Sequence, residues 1–196
     1  MDQILALQQA EIKLSDVSGR VVVLSCMLED LLFRAQRMAR AATGDPAAEA
    51  ARAAFAGDLR ALRRDVHSFG RDYAGLAAAL SGIEPPAGPD EPSAARVRTV
   101  RRLTARLHRS LATLLDQAVL AHRHMREAEH KAQAWGLVEE LGNVSQQAET
   151  LAAEANRLLA AESGKAPAEP TLRLRAAIPL RPVGRLLVSP QDAGTP

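Results

Sequence analysis

Aromatic residues and cysteine are scarce in this chain of 196 residues, which has one Trp, one Tyr, three Phe and one Cys. A β-sheet would need more aromatic and β-branched residues, whereas the abundant Ala, Leu, Arg and Glu are typical of helices. A single cysteine excludes an internal disulfide and a zinc site built from cysteines. The composition therefore predicts an all-α protein.

Long hydrophobic runs and a strong net charge are also absent. The most apolar stretch, Val21–Phe33, is interrupted by Glu29 and Asp30 and is too short to cross a bilayer. The N-terminal segment has no basic region ahead of an apolar one, as a secretory signal would. The net charge is only +2. We therefore expect a cytoplasmic protein without a transmembrane segment.

Apolar residues recur at alternating intervals of three and four in two long segments. This spacing places them along one side of a helix, a surface that is stable only when other helices cover it. The first segment carries Leu14, Val17, Val21, Leu24, Leu28, Leu31, Ala35 and Met38. The second carries Phe55, Leu59, Leu62, Val66, Phe69, Tyr73, Leu76 and Leu80. The pattern predicts long helices with coiled-coil-like seams.

Glycine and proline residues mark where the first helices end. We predict helices over residues 2–42 and 46–81, because Gly44 fits the end of the first helix and Pro46 fits the first turn of the second. The proline-rich stretch 82–92 cannot be helical and separates these two helices from the rest of the chain.

The region that follows allows two arrangements. Apolar ladders predict helices over residues 93–130 and 134–162, either as one long helix kinked near Trp135 or as two helices that fold back on each other. Two glycines are the only helix-breaking residues near that point, and no proline occurs there. Residues 1–162 are thus expected to form an elongated antiparallel bundle of three to four long helices.

Residues 163–196 differ from the rest in composition. They contain six of the eleven prolines, which excludes a long helix. We predict a disordered, Pro-rich tail. The apolar and basic fragments Leu172–Arg175 and Arg185–Val188 leave open a second interpretation, in which a short extended segment docks onto a partner or onto the bundle.

Sequence motifs for catalysis or metal binding are missing. Glu127 and His130 form one E-x-x-H pair, but di-iron bundles need two such pairs and further carboxylates, so we expect a solvated charged surface there. His67 has no serine or cysteine at a diagnostic spacing, and no phosphate-binding loop occurs. Cys26 lies between the seam residues Leu24 and Leu28 and is expected to be a half-buried, unreactive thiol. We predict no enzymatic activity, no cofactor and no metal.

A basic stripe lies opposite the apolar residues of the third helix. It consists of Arg98, Arg102, Arg106 and Arg109. From Ser93 to Arg126 there are eight arginines and one acidic residue, Asp116. Such an excess can follow a nucleic-acid backbone or an acidic protein surface. The absence of interleaved aromatic residues argues against reading of base sequence. The alternative is that the stripe is neutralised by acidic residues of the last helix, namely Glu139, Glu140, Glu149 and Glu154.

A glycine stands in the middle of the first predicted helix, within the string S-G-R-V-V-V-L-S over residues 18–25. Gly19, Arg20, Leu24 and Ser25 give this string the pattern G-R-x-x-x-L-S, which resembles the N-terminal domain of type IV pilus chemotaxis transducers and of their nitrate-sensing relatives. The resemblance implies a four-helix bundle from bacterial sensory receptors that works as a dimer, with Arg20 beside a small anion.

These features together predict a non-enzymatic helical-bundle module, most simply a homodimer. It would act in signalling or scaffolding through its helix faces or its C-terminal tail. The alternative is a nucleic-acid-associated helical protein that uses the arginines from Arg96 to Arg109.

Overall fold

The computed structural model describes residues 2–38, 40 and 46–163, and these contain four α-helices and no β-strand. The helices are α1 (Asp2–Met38), α2 (Pro46–Ser81), α3 (Pro92–His124) and α4 (Ala128–Ser163). The predicted all-α bundle is confirmed. Apart from Ser163, the last residue of α4, the predicted tail over 163–196 lies outside the described residues.

Each helix packs against two neighbours. Helix α1 contacts α2 and α3, and α4 contacts the same two, so α1 and α4 lie on one diagonal of the bundle and α2 and α3 on the other. Consecutive helices run antiparallel. The ion pairs Arg20–Asp72 and Arg34–Asp58 show this for α1 and α2, because the residue number rises on α1 as it falls on α2.

The predicted ladders form the core. Every residue of the first two ladders is buried except Met38, which is partly buried and packs against the core. The largest fully buried side chains are Tyr73, Phe55 and Phe69, all on α2. Burial of one large apolar side chain is worth roughly 1.5–3 kcal/mol, so these seams hold the helices together.

The third and fourth predicted helices are separate, but their boundaries differ from the sequence prediction of 93–130 and 134–162. Helix α3 ends at His124, and α4 begins at Ala128. Between them Met125 is extended, with its N–H bonded to the carbonyl of Ala121, and its side chain is buried. No proline or glycine makes this break. It arises where the apolar ladder of α3 loses phase with that of α4.

The ends of α1 and α2 show two further features. Helix α1 is described as far as Met38, and the N–H of Arg40 donates to the carbonyl of Arg37. The rest of the predicted helix, at residues 39, 41 and 42, lies outside the described residues. At the C-terminus of α2, Arg157 of α4 donates hydrogen bonds to the carbonyl oxygens of Leu80 and Ile83, at 3.0 and 3.2 Å. Such bonds satisfy carbonyl groups that a helix end leaves without a partner.

Candidate functional site

The side of α1 that points away from the core carries large apolar side chains among polar ones. Among the described residues eight large apolar side chains are exposed, and seven of these lie on α1. They are Ile4, Leu5, Ile12, Val22, Val23, Met27 and Phe33. The eighth is Leu120 on α3. A helix with apolar residues on opposite sides is normally covered on both, but the described residues cover only one side of α1.

Five residues of α1 fall on one line opposite the buried seam, because they follow one another at intervals of seven. With two valines beside this line they form a surface that we call the α1 outer face. It comprises Leu5, Ile12, Gly19, Cys26 and Phe33, together with Val22 and Val23.

Sequence reasoning did not identify this surface, and it was wrong about one of its members. Cys26 was expected to be half-buried beside the seam, but the thiol is exposed, since Cys26 lies on the opposite side of α1 from Leu24 and Leu28. The signal was present in the seven-residue spacing from Leu5 to Phe33. Spacing alone does not say which of two apolar sides faces the bundle.

Arg20 does not belong to the α1 outer face. Its Nη1 lies 2.7 Å from Oδ2 of Asp72, and its Nη2 donates to Oγ of Ser68 at 3.1 Å. The guanidinium carbon lies 4.2 Å from the centroid of the Phe69 ring. The side chain is therefore directed toward α2, where a carboxylate already balances its charge.

The basic stripe is exposed along α3, because Arg98, Arg102, Arg106 and Arg109 all face solvent. Within the described part of the chain, no carboxylate forms an ion pair with Arg102, Arg106 or Arg109. Two of the four acidic residues of α4 that could have neutralised the stripe are engaged elsewhere. Glu140 binds Arg63 and His67 of α2. Glu154 binds Arg157, so the structure does not support neutralisation by either.

The E-x-x-H pair forms, but it is part of the packing at the junction of α3 and α4. Nδ1 of His130 lies 3.2 Å from the Glu127 carboxylate, and its Nε2 lies 3.2 Å from the carbonyl oxygen of Arg52. The ring packs edge-on against Phe55, and His130 is buried instead of solvated as predicted. No cluster of three metal-binding side chains occurs in residues 2–38, 40 and 46–163.

Two side chains have shifted pKa values. Burial raises the pKa of the Tyr73 phenol well above its usual value, and the carboxylate of Asp72 adds to this shift. Partial burial lowers the pKa of His122, and the nearby ammonium group of Lys131 lowers it further. The ring of His122 lies 5.2 Å from that of Trp135, centroid to centroid. Neither residue belongs to the α1 outer face or the basic stripe.

None of the described helices is both long and apolar enough to cross a membrane. Comparisons with protein-family models, with curated proteins and with solved structures find no match to this chain. The functional interpretation therefore depends on the surfaces of the bundle.

Proposed function

We propose that this chain is a non-enzymatic helical-bundle module that acts in signalling or scaffolding through protein–protein contacts, as a homodimer joined at the α1 outer face. The observation that carries the proposal is the concentration of exposed large apolar side chains on this one helix. A cytoplasmic location is proposed with it, because an exposed lone thiol such as that of Cys26 stays reduced there.

The chemistry of the α1 outer face favours a protein as its occupant. Val22 and Val23 are 60% and 59% exposed, and Phe33 is 60% exposed. Removing such side chains from water gains roughly 25 cal/mol for each Å² of apolar surface. A second copy offers the same apolar line in return, so both partners gain from one contact.

The first test is the mass of the full chain by light scattering over a dilution series. We expect twice the 21.0 kDa mass of one chain at high concentration. Val23→Asp should give the monomer mass, because it places a charge in the contact. Leu120→Asp is the matched control, since Leu120 is exposed but lies on α3, and it should remain dimeric. A native chain that is monomeric throughout contradicts the proposal.

A sensory form of this function would use Arg20, as the resemblance to sensor domains suggests. The guanidinium group is about half exposed, but a small anion would have to compete with Asp72 for it. Asp72→Asn should therefore strengthen anion binding. If no small anion raises the Tm of either the native chain or Asp72→Asn, this form of the proposal is wrong.

A second candidate function is association with nucleic acid through the basic stripe. It is favoured by the exposure of Arg102, Arg106 and Arg109 without ion-pair partners among the described residues. Backbone contacts of this kind depend strongly on salt.

Retention on non-specific DNA tests the second candidate. Binding that persists at about 200 mM salt and is lost in Arg102→Glu with Arg106→Glu would support it. The matched control is Arg64→Glu with Arg71→Glu, which makes the same change of charge on the exposed side of α2. Equal retention of the two double variants would contradict it.

A further inference from the structure

We infer that the two chains of the proposed dimer pair antiparallel along α1, with the two-fold axis beside Gly19. This inference rests on the proposed function and specifies the contact: which residues meet, and in which direction the two helices run.

The first argument is the symmetry of the α1 outer face. Gly19 is the middle residue of its line, with two residues before it and two after it at equal intervals. If two copies of α1 cross antiparallel at Gly19, Leu5 meets Phe33 of the second copy and Ile12 meets Cys26. Every large side chain of the line then has an apolar partner, and Gly19 meets Gly19. A two-fold contact requires such self-complementarity. A parallel pair in register would also meet this requirement, so the symmetry places the antiparallel crossing at Gly19, and the charges decide the direction of the helices.

The second argument is the glycine itself. A mid-helix glycine costs about 1 kcal/mol relative to alanine. No contact within the described residues explains it, because a Cβ on Gly19 would meet none of their atoms within 4 Å and the φ of Gly19 is not positive. Gly57, Gly75 and Gly142 are equally open, but Gly19 alone stands within a line of exposed apolar residues. Glycine at the crossing point lets two helix backbones approach closely.

The third argument is charge. Three exposed carboxylates border the α1 outer face. Asp30 pairs with Arg34 and Glu29 accepts a hydrogen bond from Gln117, whereas Asp16 forms no ion pair among the described residues. In a parallel dimer in register, Asp16 would lie beside Asp16 of the second copy, and the two negative charges would repel each other. In the antiparallel dimer Asp16 is level with Val22, while Glu29 and Asp30 are level with Gln9 and Gln8. The antiparallel arrangement about Gly19 avoids the repulsion that the parallel arrangement in register would cause.

The register predicts which cysteines can be linked by a disulfide. The two native Cys26 residues of an antiparallel dimer are offset by fourteen residues along the helix axis, about 21 Å. A disulfide needs Cα atoms about 4.4–6.8 Å apart. The native chain should therefore not crosslink within the dimer. Ile12→Cys places a second thiol level with Cys26 of the partner, and oxidation should give a covalent dimer.

The experiment oxidises the full chain and its variants with a mild oxidant and compares them on non-reducing gels. Ile12→Cys should crosslink rapidly. Leu5→Cys is the matched control, since its thiol is about 10 Å from Cys26 of the partner along the axis, and it should not crosslink. If loss of Ile12 weakens association, Leu5→Cys with Phe33→Cys and Cys26→Ser tests the same register at the outer pair.

The outcomes separate the inference from the proposed function. Rapid crosslinking of the native chain through Cys26 shows a parallel dimer and overturns the antiparallel register, while the proposed homodimer stands. No crosslink in either designed variant of a chain that light scattering shows to be dimeric also overturns the register. A monomeric native chain overturns both. Crosslinking in Ile12→Cys and not in Leu5→Cys supports the inference.

Discussion

The guanidinium group of Arg20 lies over the ring of Phe69, with 4.2 Å between the guanidinium carbon and the ring centroid. The same group bridges to Asp72, so one side chain of α1 makes both a cation–π contact and an ion pair with α2. Phe69 is buried and Asp72 exposed, which places Arg20 at the boundary between core and solvent.

This contact predicts the effect of replacing Arg20. Arg20→Ala should lower the free energy of unfolding by about 1 kcal/mol, since a half-exposed ion pair and a cation–π contact each contribute roughly 0.5 kcal/mol or more. Arg20→Lys keeps the charge but not the second hydrogen bond, so it should lower the free energy of unfolding by less than Arg20→Ala does. Urea denaturation at one fixed protein concentration measures both. Unchanged stability in Arg20→Ala would show that the contact contributes nothing.

The buried phenol of Tyr73 predicts instability at alkaline pH. Its pKa is raised in the folded chain, whereas the unfolded chain loses the proton near the ordinary value of about 10. Above that pH the unfolded state binds fewer protons than the folded state, so stability falls as the pH rises.

Tyr73→Phe isolates this effect, because it keeps the ring and removes a hydroxyl that has no hydrogen-bond partner among the described residues. The variant should be at least as stable as the native chain at neutral pH and more stable above about pH 10. Tyr73 is the only tyrosine, so absorbance at the tyrosinate band reports it alone. Ionisation of Tyr73 in the folded chain near pH 10 would contradict the account.

His122 predicts a fluorescence change at acidic pH. Trp135 is the only tryptophan and its ring lies beside His122, so a protonated imidazole should quench its emission. Since the pKa of His122 is lowered, the midpoint pH of this fluorescence change should lie below 6.5. The unfolded chain then takes up this proton at higher pH than the folded chain, so His122 lowers stability as the pH falls below about 6.5.

Two variants check this assignment. Lys131→Met should raise the midpoint, because it removes the ammonium group that opposes protonation. His124→Asn, a change in the exposed neighbour two residues further on, should leave the midpoint where it is. A fluorescence transition that survives His122→Asn would assign the signal to another group.

Paired glycine substitutions separate helix stability from association. Gly19 and Gly142 are both exposed, and a Cβ at either position would meet no atom of the described residues within 4 Å. Alanine at either position should stabilise its helix by up to about 1 kcal/mol. Only Gly19→Ala should also weaken the dimer, by about tenfold or more in Kd, because it adds a methyl group at the crossing point. Equal Kd values for the two variants would remove the glycine argument.

The sequence predicts the core of the bundle well, because the residues that one side of a helix buries are apolar and recur at regular intervals of three and four. Leu28 and Leu62, at the centres of the first two ladders, are almost fully buried as expected. The junction of α3 and α4 was harder to predict. Ala128 and Ala132 continue the ladder of α3 in phase, yet both are exposed, and the core resumes at His130 and Ala134.

The α1 outer face could not be predicted from the spacing of apolar residues, for a different reason. On α1 the line that contains Val21 and Leu28 is buried, while the line that contains Ile12 and Phe33 is exposed, although both are apolar. The choice between them depends on where α2 and α3 pack. The exposed arginines of α3 follow from local composition, because residues 93–126 contain eight arginines and a single acidic residue, an excess that the described helices cannot bury.

The central claim is that a second copy covers the α1 outer face, and the reaction rate of Cys26 with a maleimide tests it most directly. The thiol is exposed in the single chain but would be covered by Ile12 of the partner. At a concentration where the native chain is dimeric, we expect labelling to be several-fold slower than in Val23→Asp, and to approach the variant's rate on dilution. Equal rates in the two proteins at every concentration would show that the face stays open to solvent and would contradict the account.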